Sequence, residues 1–320
     1  RALAAAGGWV GRSVAAAYRA IDPDLRRHIA QLPLVGLTML ARGNPAPEPL
    51  PDDGRRPVIF VHGLGGGPGN FLPIRLFFRL HGRSRTYAVP FAGVSSLDGM
   101  AARLSEFLDA VATVNGLPAD ARFDVVAHSM GGLAARLALE NERTRDRVAV
   151  LVTMATPHAG SHLARYGNTP GSLDLRPDSE VLARLARQLP WRGPPAQPRL
   201  VALWSATDVI LLPAHSGVVG GAENIEMPGF THYGYLIHPS GWRRVLDALD
   251  APWGRGPLDP HDLAPCHAGV VSPPPPAGSA IAVTRRAGSK IDAATARTSA
   301  GVTARTRASY RSGVGSSPRT

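Results

Sequence analysis

Between residues 57 and 250 the chain repeats one pattern: a short apolar run of strand length, followed by a stretch with helical periodicity. The strand-like runs are "PVIFVH" (57–62), "TYAVPF" (86–91), "FDVVAH" (123–128), "RVAVLVTMA" (147–155), "RLVALWS" (199–205) and the shorter "ENIEMPG" (223–229). Helical periodicity fills residues 71–82, 97–116, 131–141, 178–190 and 239–250. Strands that run parallel need a crossover between them, and a helix is the usual crossover, so this alternation predicts an α/β fold. Its core is a sheet of about six mostly parallel strands covered by helices on both faces. The expected catalytic-size domain spans residues 50–253.

In such a sheet, reactive groups collect beyond the carboxyl ends of the strands. Ser129 sits at one of these ends, in "VVAHSMGGLAARLAL", where a strand must turn into a helix. Ala127 and Gly131 flank it at the small-x-Ser-x-small spacing. Small neighbours let the backbone turn sharply and leave the hydroxyl exposed, and the helix behind it favours developing negative charge. Strand, tight turn and helix together describe a nucleophile elbow.

A serine hydroxyl needs a base, and the base needs an orienting partner. Asp208 follows the strand at 199–205, in "LWSATDVILLP", and His232 follows the next strand, in "MPGFTHYGYLIHP". Each alone reads as an ordinary loop residue; both after the appropriate strands, in the order Ser, Asp, His, read as a triad. His128 is expected to pack beside the elbow, and His62, Gly63 and His158 to line a pocket, with His158 the reserve base. For the oxyanion, "HGLGGGPGNF" (62–71) follows the first strand, and its glycines admit backbone amides to the site. The amides of Leu64 and Met130 are the expected donors. This loop lacks the endings that mark nucleotide-phosphate loops.

Taken together, "PVIFVHGLGG", "VVAHSMGG", "TMATPHAGS", "SATDVILLP" and "GFTHYGYL" resemble the α/β-hydrolase superfamily, and within it small bacterial triacylglycerol lipases and esterases. The resemblance covers roughly residues 55 to 250. It implies the α/β-hydrolase fold, Ser129 as nucleophile, Asp208 as acid, His232 as base, and an ester, most naturally a lipid ester, as substrate. It implies no cofactor, and no acidic cluster with calcium-site spacing appears; no metal site is expected. An acyltransferase or thioesterase would use the same triad, and a binding protein on this fold would not need it. The helical "SEVLARLARQL", with Val181, Leu182, Leu185 and Leu189, either covers an apolar trough as a lid or packs permanently on the sheet.

Outside this region, residues 1–49 form an N-terminal extension. An apolar stripe at Val10, Val14, Ala17, Tyr18 and Ile21 suggests a helix, and a second is expected to start at Asp22 with Pro23 in its first position. Packing on the main domain is the expected use of that stripe, since it is the commoner one; the alternative is peripheral contact with a lipid interface. A proline-rich linker follows. Residues 254–320 are rich in Ser, Thr, Gly, Pro and Arg, poor in large apolar residues, and expected to be disordered. Nine basic and three acidic residues there supply +6 of the formal net charge of +11. Basic residues are scattered without interleaved aromatics, which argues against nucleic-acid binding. The only cysteine, Cys266, lies in this tail, so the body has neither disulfide nor thiol nucleophile. No apolar run approaches the ~18 residues that a spanning helix needs. The expectation is a soluble, secreted or peripherally membrane-associated protein.

Overall fold

A computed structural model describes residues 21–41 and 46–251. These all belong to the unit Arg1–Pro274; the expected disordered tail from residue 254, Cys266 and the whole unit Pro275–Thr320 lie outside the described residues, as does the apolar stripe before Ile21. Six strands form one sheet: β1 (Val58–Val61), β2 (Thr86–Ala88), β3 (Phe123–His128), β4 (Val148–Met154), β5 (Arg199–Trp204) and β6 (Glu223–Glu226). Their order is β2-β1-β3-β4-β5-β6, and every neighbouring pair is parallel. This is the parallel α/β sheet that the alternation predicts, and among the described residues it has no antiparallel member.

Around it lie α1 (Pro23–Met39), α2 (Leu72–Leu80), α3 (Leu97–Val114), α4 (Met130–Ala138), α5 (Glu142–Arg147), α6 (Pro170–Asp174), α7 (Glu180–Ala186), α8 (Gly234–Ile237) and α9 (Pro239–Asp250). Helix α1 begins as its sequence predicts: Asp22 is the N-cap, accepting from the amides of Asp24 and Leu25, and Pro23 holds the first position. Expected strands at 86–91 and 223–229 are shorter in the structure. In the first, Pro90 cannot donate to a sheet ladder. In the second, Pro228 and Gly229 turn the chain toward the loop that carries His232.

Strand side chains alternate between two apolar layers. Ile59, Val61, Val125, Ala127, Leu151, Leu200 and Ala202 meet α3, α4 and α7 on one face. Val58, Phe60, Val126, Val152, Val201 and Ile225 meet α2, α9 and Val35 of α1 on the other. Leu182 and Leu185 of α7 are buried in the first layer, and the Leu185 carbonyl accepts from the buried Arg136 guanidinium at 2.7 Å. The α7 segment is therefore packed on the sheet in this structure, with Leu182 and Leu185 inside and Leu189 exposed.

At the amino-terminal edge of the sheet, Asp124 is fully buried and pairs with Arg56 at 2.7 Å and Arg83 at 2.9 Å. Arg83 also reaches Asp250 in the last turn of α9 at 2.8 Å, and Arg55 joins the same carboxylate at 2.7 Å. The opposite edge, where the strands end, is free for chemistry. Among the described residues no helix is long and apolar enough to cross a membrane.

Candidate active site

Ser129 follows β3 directly and caps α4 with φ 56° and ψ −132°. For a residue with a Cβ this left-handed conformation costs about 1–3 kcal/mol and persists only where the surroundings fix it. Two contacts do so: the Ser129 amide donates to Met154 O at 2.8 Å, and its carbonyl accepts from Gly132 N at 3.0 Å. The first extends the β3–β4 ladder one residue into the turn. Gly131 is needed because the helix start lies hard against β1. A Cβ there would come within 2.5 Å of Val61 O and 2.7 Å of His62 O.

The loop after β5 carries Asp208, and the loop after β6 carries His232. Thr207 Oγ1 donates to Phe230 O at 2.9 Å and ties the two loops together. Across that tie, His232 Nδ1–H donates to Asp208 Oδ2 at 2.9 Å, and Ser129 Oγ lies 3.0 Å from His232 Nε2. The sequence separations are 24 and 103 residues, so the fold brings the three together. The other carboxylate oxygen of Asp208 accepts from the amides of Ile210 and Leu211 at 2.9 and 3.2 Å. Burial works against ionisation of Asp208. The His232 charge and hydrogen bond, with those two amides, outweigh it and hold the carboxyl below its ordinary value.

His128 Nε2–H donates to His232 O at 2.8 Å and so fixes the backbone behind the base. Burial first, then the neighbouring His232, lowers His128 to about 3, which keeps it neutral. His62 turns its Nδ1–H to Gly63 O at 3.0 Å, and burial also keeps it neutral. Gly63 presses on the elbow: a Cβ there would sit 2.7 Å from Ser129 Cβ and 3.1 Å from Met130 N. Leu64 therefore follows a residue in direct contact with the serine. Met130 is the first residue of α4, so its amide is one of those left without an intrahelical acceptor.

These groups line a cleft of about 60 Å³ that includes His62, Gly63, Leu64, His128, Ser129 and His232. His158 is not part of it. It is buried, with Nε2 3.1 Å from Thr153 Oγ1 and Nδ1 3.4 Å from the Arg136 guanidinium. Burial and that cation push it well below the ordinary histidine value, so it is held neutral away from the cleft. A larger groove of about 480 Å³, lined in part by Arg145, Arg187, Trp191 and Arg192, contains none of the triad residues.

The sequence reading missed the contribution of α1. Val35 and Met39 form one wall of the cleft, together with Tyr233 and Leu236. Moreover, α1 holds the segment that bears His232. His28 stacks on Tyr233 with ring centres 5.0 Å apart, Gln31 Oε1 accepts from Thr231 Oγ1, and Arg27 Nη1 donates to Gly229 O at 3.2 Å. The available signal was the polar series Asp24, His28, Gln31 and Thr38, at spacings that keep one helix face, in a helix whose other residues after Arg27 are apolar.

Known proteins are similar to parts of this chain. Residues 102–169 match the PGAP1-like alpha/beta domain. A triacylglycerol lipase from Burkholderia plantarii is 30% identical over 147 residues, which is 43% of this chain and 40% of that protein. The probable esterase PIR7A of Oryza sativa subsp. indica is 36% identical over 121 residues, covering 35% of this chain and 44% of that one. The chain thus spans less than half the length of these relatives. Among solved structures, Aspergillus fumigatus lipase B superposes with a TM-score of 0.53 at 20% identity, over 66% of this chain and 56% of that chain. Bacillus licheniformis lipase BlEst2 in mature form gives 0.53 at 16% identity, over 65% and 96%. The chain is an α/β-hydrolase by fold, and its sequence likeness is to lipases and esterases.

Proposed function

We propose that this protein hydrolyses carboxylic esters through an acyl-enzyme on Ser129, with lipid acyl esters as the substrate class. The observation that carries the reading is the unbroken chain from Asp208 through His232 to Ser129, with the serine raised on a left-handed turn. In the first step His232 Nε2 takes the hydroxyl proton as Ser129 Oγ attacks the ester carbonyl. Asp208, held ionised, stabilises the imidazolium that forms and keeps Nδ1 protonated. The amides of Leu64 and Met130 receive the oxyanion; one such donor is worth about 2.7–4 kcal/mol in the transition state. The imidazolium then protonates the departing alcohol. Water, activated by the same imidazole, cleaves the acyl-enzyme and releases the acid.

The test is the initial hydrolysis rate on p-nitrophenyl esters from acetate to palmitate, for the wild type, Ser129→Ala and His232→Ala. Both variants are expected to fold normally and to lose at least about 10³-fold in kcat. Wild-type turnover equal to that of Ser129→Ala on every ester would refute the reading. Faster transfer of the acyl group to an added alcohol than to water would identify an acyltransferase instead.

A further inference from the structure

The loop between β6 and α8 is held from two sides, and its residues alternate between them. On the side of the triad, Phe230 O accepts from Thr207 Oγ1 at 2.9 Å, and the His232 ring bonds to Asp208 at 2.9 Å. The His232 carbonyl accepts from His128 at 2.8 Å. On the side of α1, Gly229 O accepts from Arg27 Nη1 at 3.2 Å, Thr231 Oγ1 donates to Gln31 Oε1, and Tyr233 stacks on His28. Thus 230 and 232 face the catalytic groups, while 229, 231 and 233 face α1. A little more than one turn of that helix, Arg27 to Gln31, meets the residues before and after the base. Leu25, Ile29 and Leu32 of the same helix are exposed.

The three contacts differ in what they fix. Arg27 is exposed, shares its guanidinium with Asp24, and reaches a carbonyl three residues before His232. His28 is buried and its Nδ1 has no hydrogen-bond partner among the described residues, so it meets Tyr233 with its ring face. Gln31 bonds the residue covalently joined to the base. Thr231 is 1% exposed, and its hydroxyl has two tasks: the proton goes to Gln31, and the oxygen accepts from Gly234 N at 3.2 Å. Gln31 therefore orients a hydroxyl that pins the backbone on both sides of His232. Its amide nitrogen lies 3.3 Å from His238 Nε2, at the far end of α8. Removing the acceptor would leave the Thr231 proton buried and unpaired, and the loop would shift to satisfy it. We propose that Gln31 is a positioning residue for the catalytic base: through Thr231 it keeps His232 Nε2 within reach of Ser129 Oγ. The role rests on the ester-hydrolase reading above.

The test compares full-length wild type, Gln31→Leu, Gln31→Glu and Leu32→Gln on p-nitrophenyl butyrate. Leucine is close to glutamine in size but offers no acceptor, glutamate keeps the acceptor, and Leu32 is the control on the exposed side of the helix. Reactive serines are titrated to completion with a fluorophosphonate, and kcat per titrated serine is read on the plateau of each pH–rate profile. Gln31→Leu is expected to lose about 10–100-fold in kcat with KM within about twofold, the signature of a contact felt only in the transition state. Its rate of fluorophosphonate labelling should fall by a similar factor. Gln31→Glu should return to within about threefold of wild type, and Leu32→Gln should match it. Four results overturn the proposal. Gln31→Leu keeps wild-type kcat. Its loss appears as fewer titrated serines, each with wild-type kcat, which makes the contact merely structural. Its loss lies in KM, which makes α1 a substrate contact. Gln31→Glu is as impaired as Gln31→Leu, which removes the acceptor as the cause. Failure of the hydrolase reading shows separately, as wild-type turnover no greater than that of Ser129→Ala, and the positioning role falls with it.

Discussion

Gly131→Ala isolates the close approach of the elbow to β1. The added Cβ would lie 2.5 Å from Val61 O, about 0.9 Å short of the 3.4 Å at which ordinary contact begins, and 2.7 Å from His62 O. Both obstacles are backbone, so no side chain can rotate away. Alanine favours the helix over glycine by about 1 kcal/mol, and overpacking of this kind costs about 1–3 kcal/mol. With backbone on both sides the upper end applies, leaving a net loss of about 2 kcal/mol. For a domain of this size that lowers Tm by about 4–8 °C. The chain must open by most of an ångström between Ser129 and the loop that carries Leu64. A displacement of about 1 Å costs on the order of 10²-fold in rate. Thermal melting and kcat on p-nitrophenyl butyrate measure the two effects. Gly36→Ala, in α1 with nothing within 4 Å of its added Cβ, is the control, expected to keep both values or gain stability. A Gly131→Ala protein with wild-type Tm and kcat within threefold would refute the reasoning.

Asp208→Asn is expected to lower kcat by about 10³–10⁴-fold, since the amide leaves His232 without its anionic partner. Because Asp208 is held below its ordinary value, its stabilising contribution is complete above about pH 4 and is lost as pH falls through the folded value. The Tm difference between wild type and Asp208→Asn should therefore be constant in neutral solution and close in acid. A gap that instead widens in acid would show that the carboxyl is not stabilised as its ion. Leu185→Ala, at a site with no solvent exposure, should cost about 2–5 kcal/mol by denaturant unfolding while leaving the preference for acyl length unchanged. A shift of that preference toward long chains would return α7 to the role of a lid.

The sheet was legible because its strands are buried on both faces: β3 is six buried residues in succession, and such a run has few other destinations. Ser129 was legible because Gly131, at its fixed offset, answers a steric demand that the structure places at Val61 and His62. Asp208 and His232 could be read from their places after successive strands. What failed to show was short or inverted. Helix α5 is all polar, "ERTRDR", and α6 and α8 span only five and four residues, too few for a period to appear. The role of α1 was hidden because its apolar face, the usual sign of core packing, is not the face that packs. His158 drew attention by lying after a strand end, but sequence position does not record that its ring turns inward to Thr153 and Arg136.

The ion pairs at the amino-terminal edge have a consequence for attachment. Arg55 precedes β1 and Asp250 closes α9, and one carboxylate joins them. Entry to the sheet and exit from the last helix are therefore neighbours at the pole opposite Ser129. A label, tether or second protein fused at residue 251 would depart from that pole and leave the approach to the serine clear. One attached ahead of Asp22 would instead begin beside the helix that grips His232.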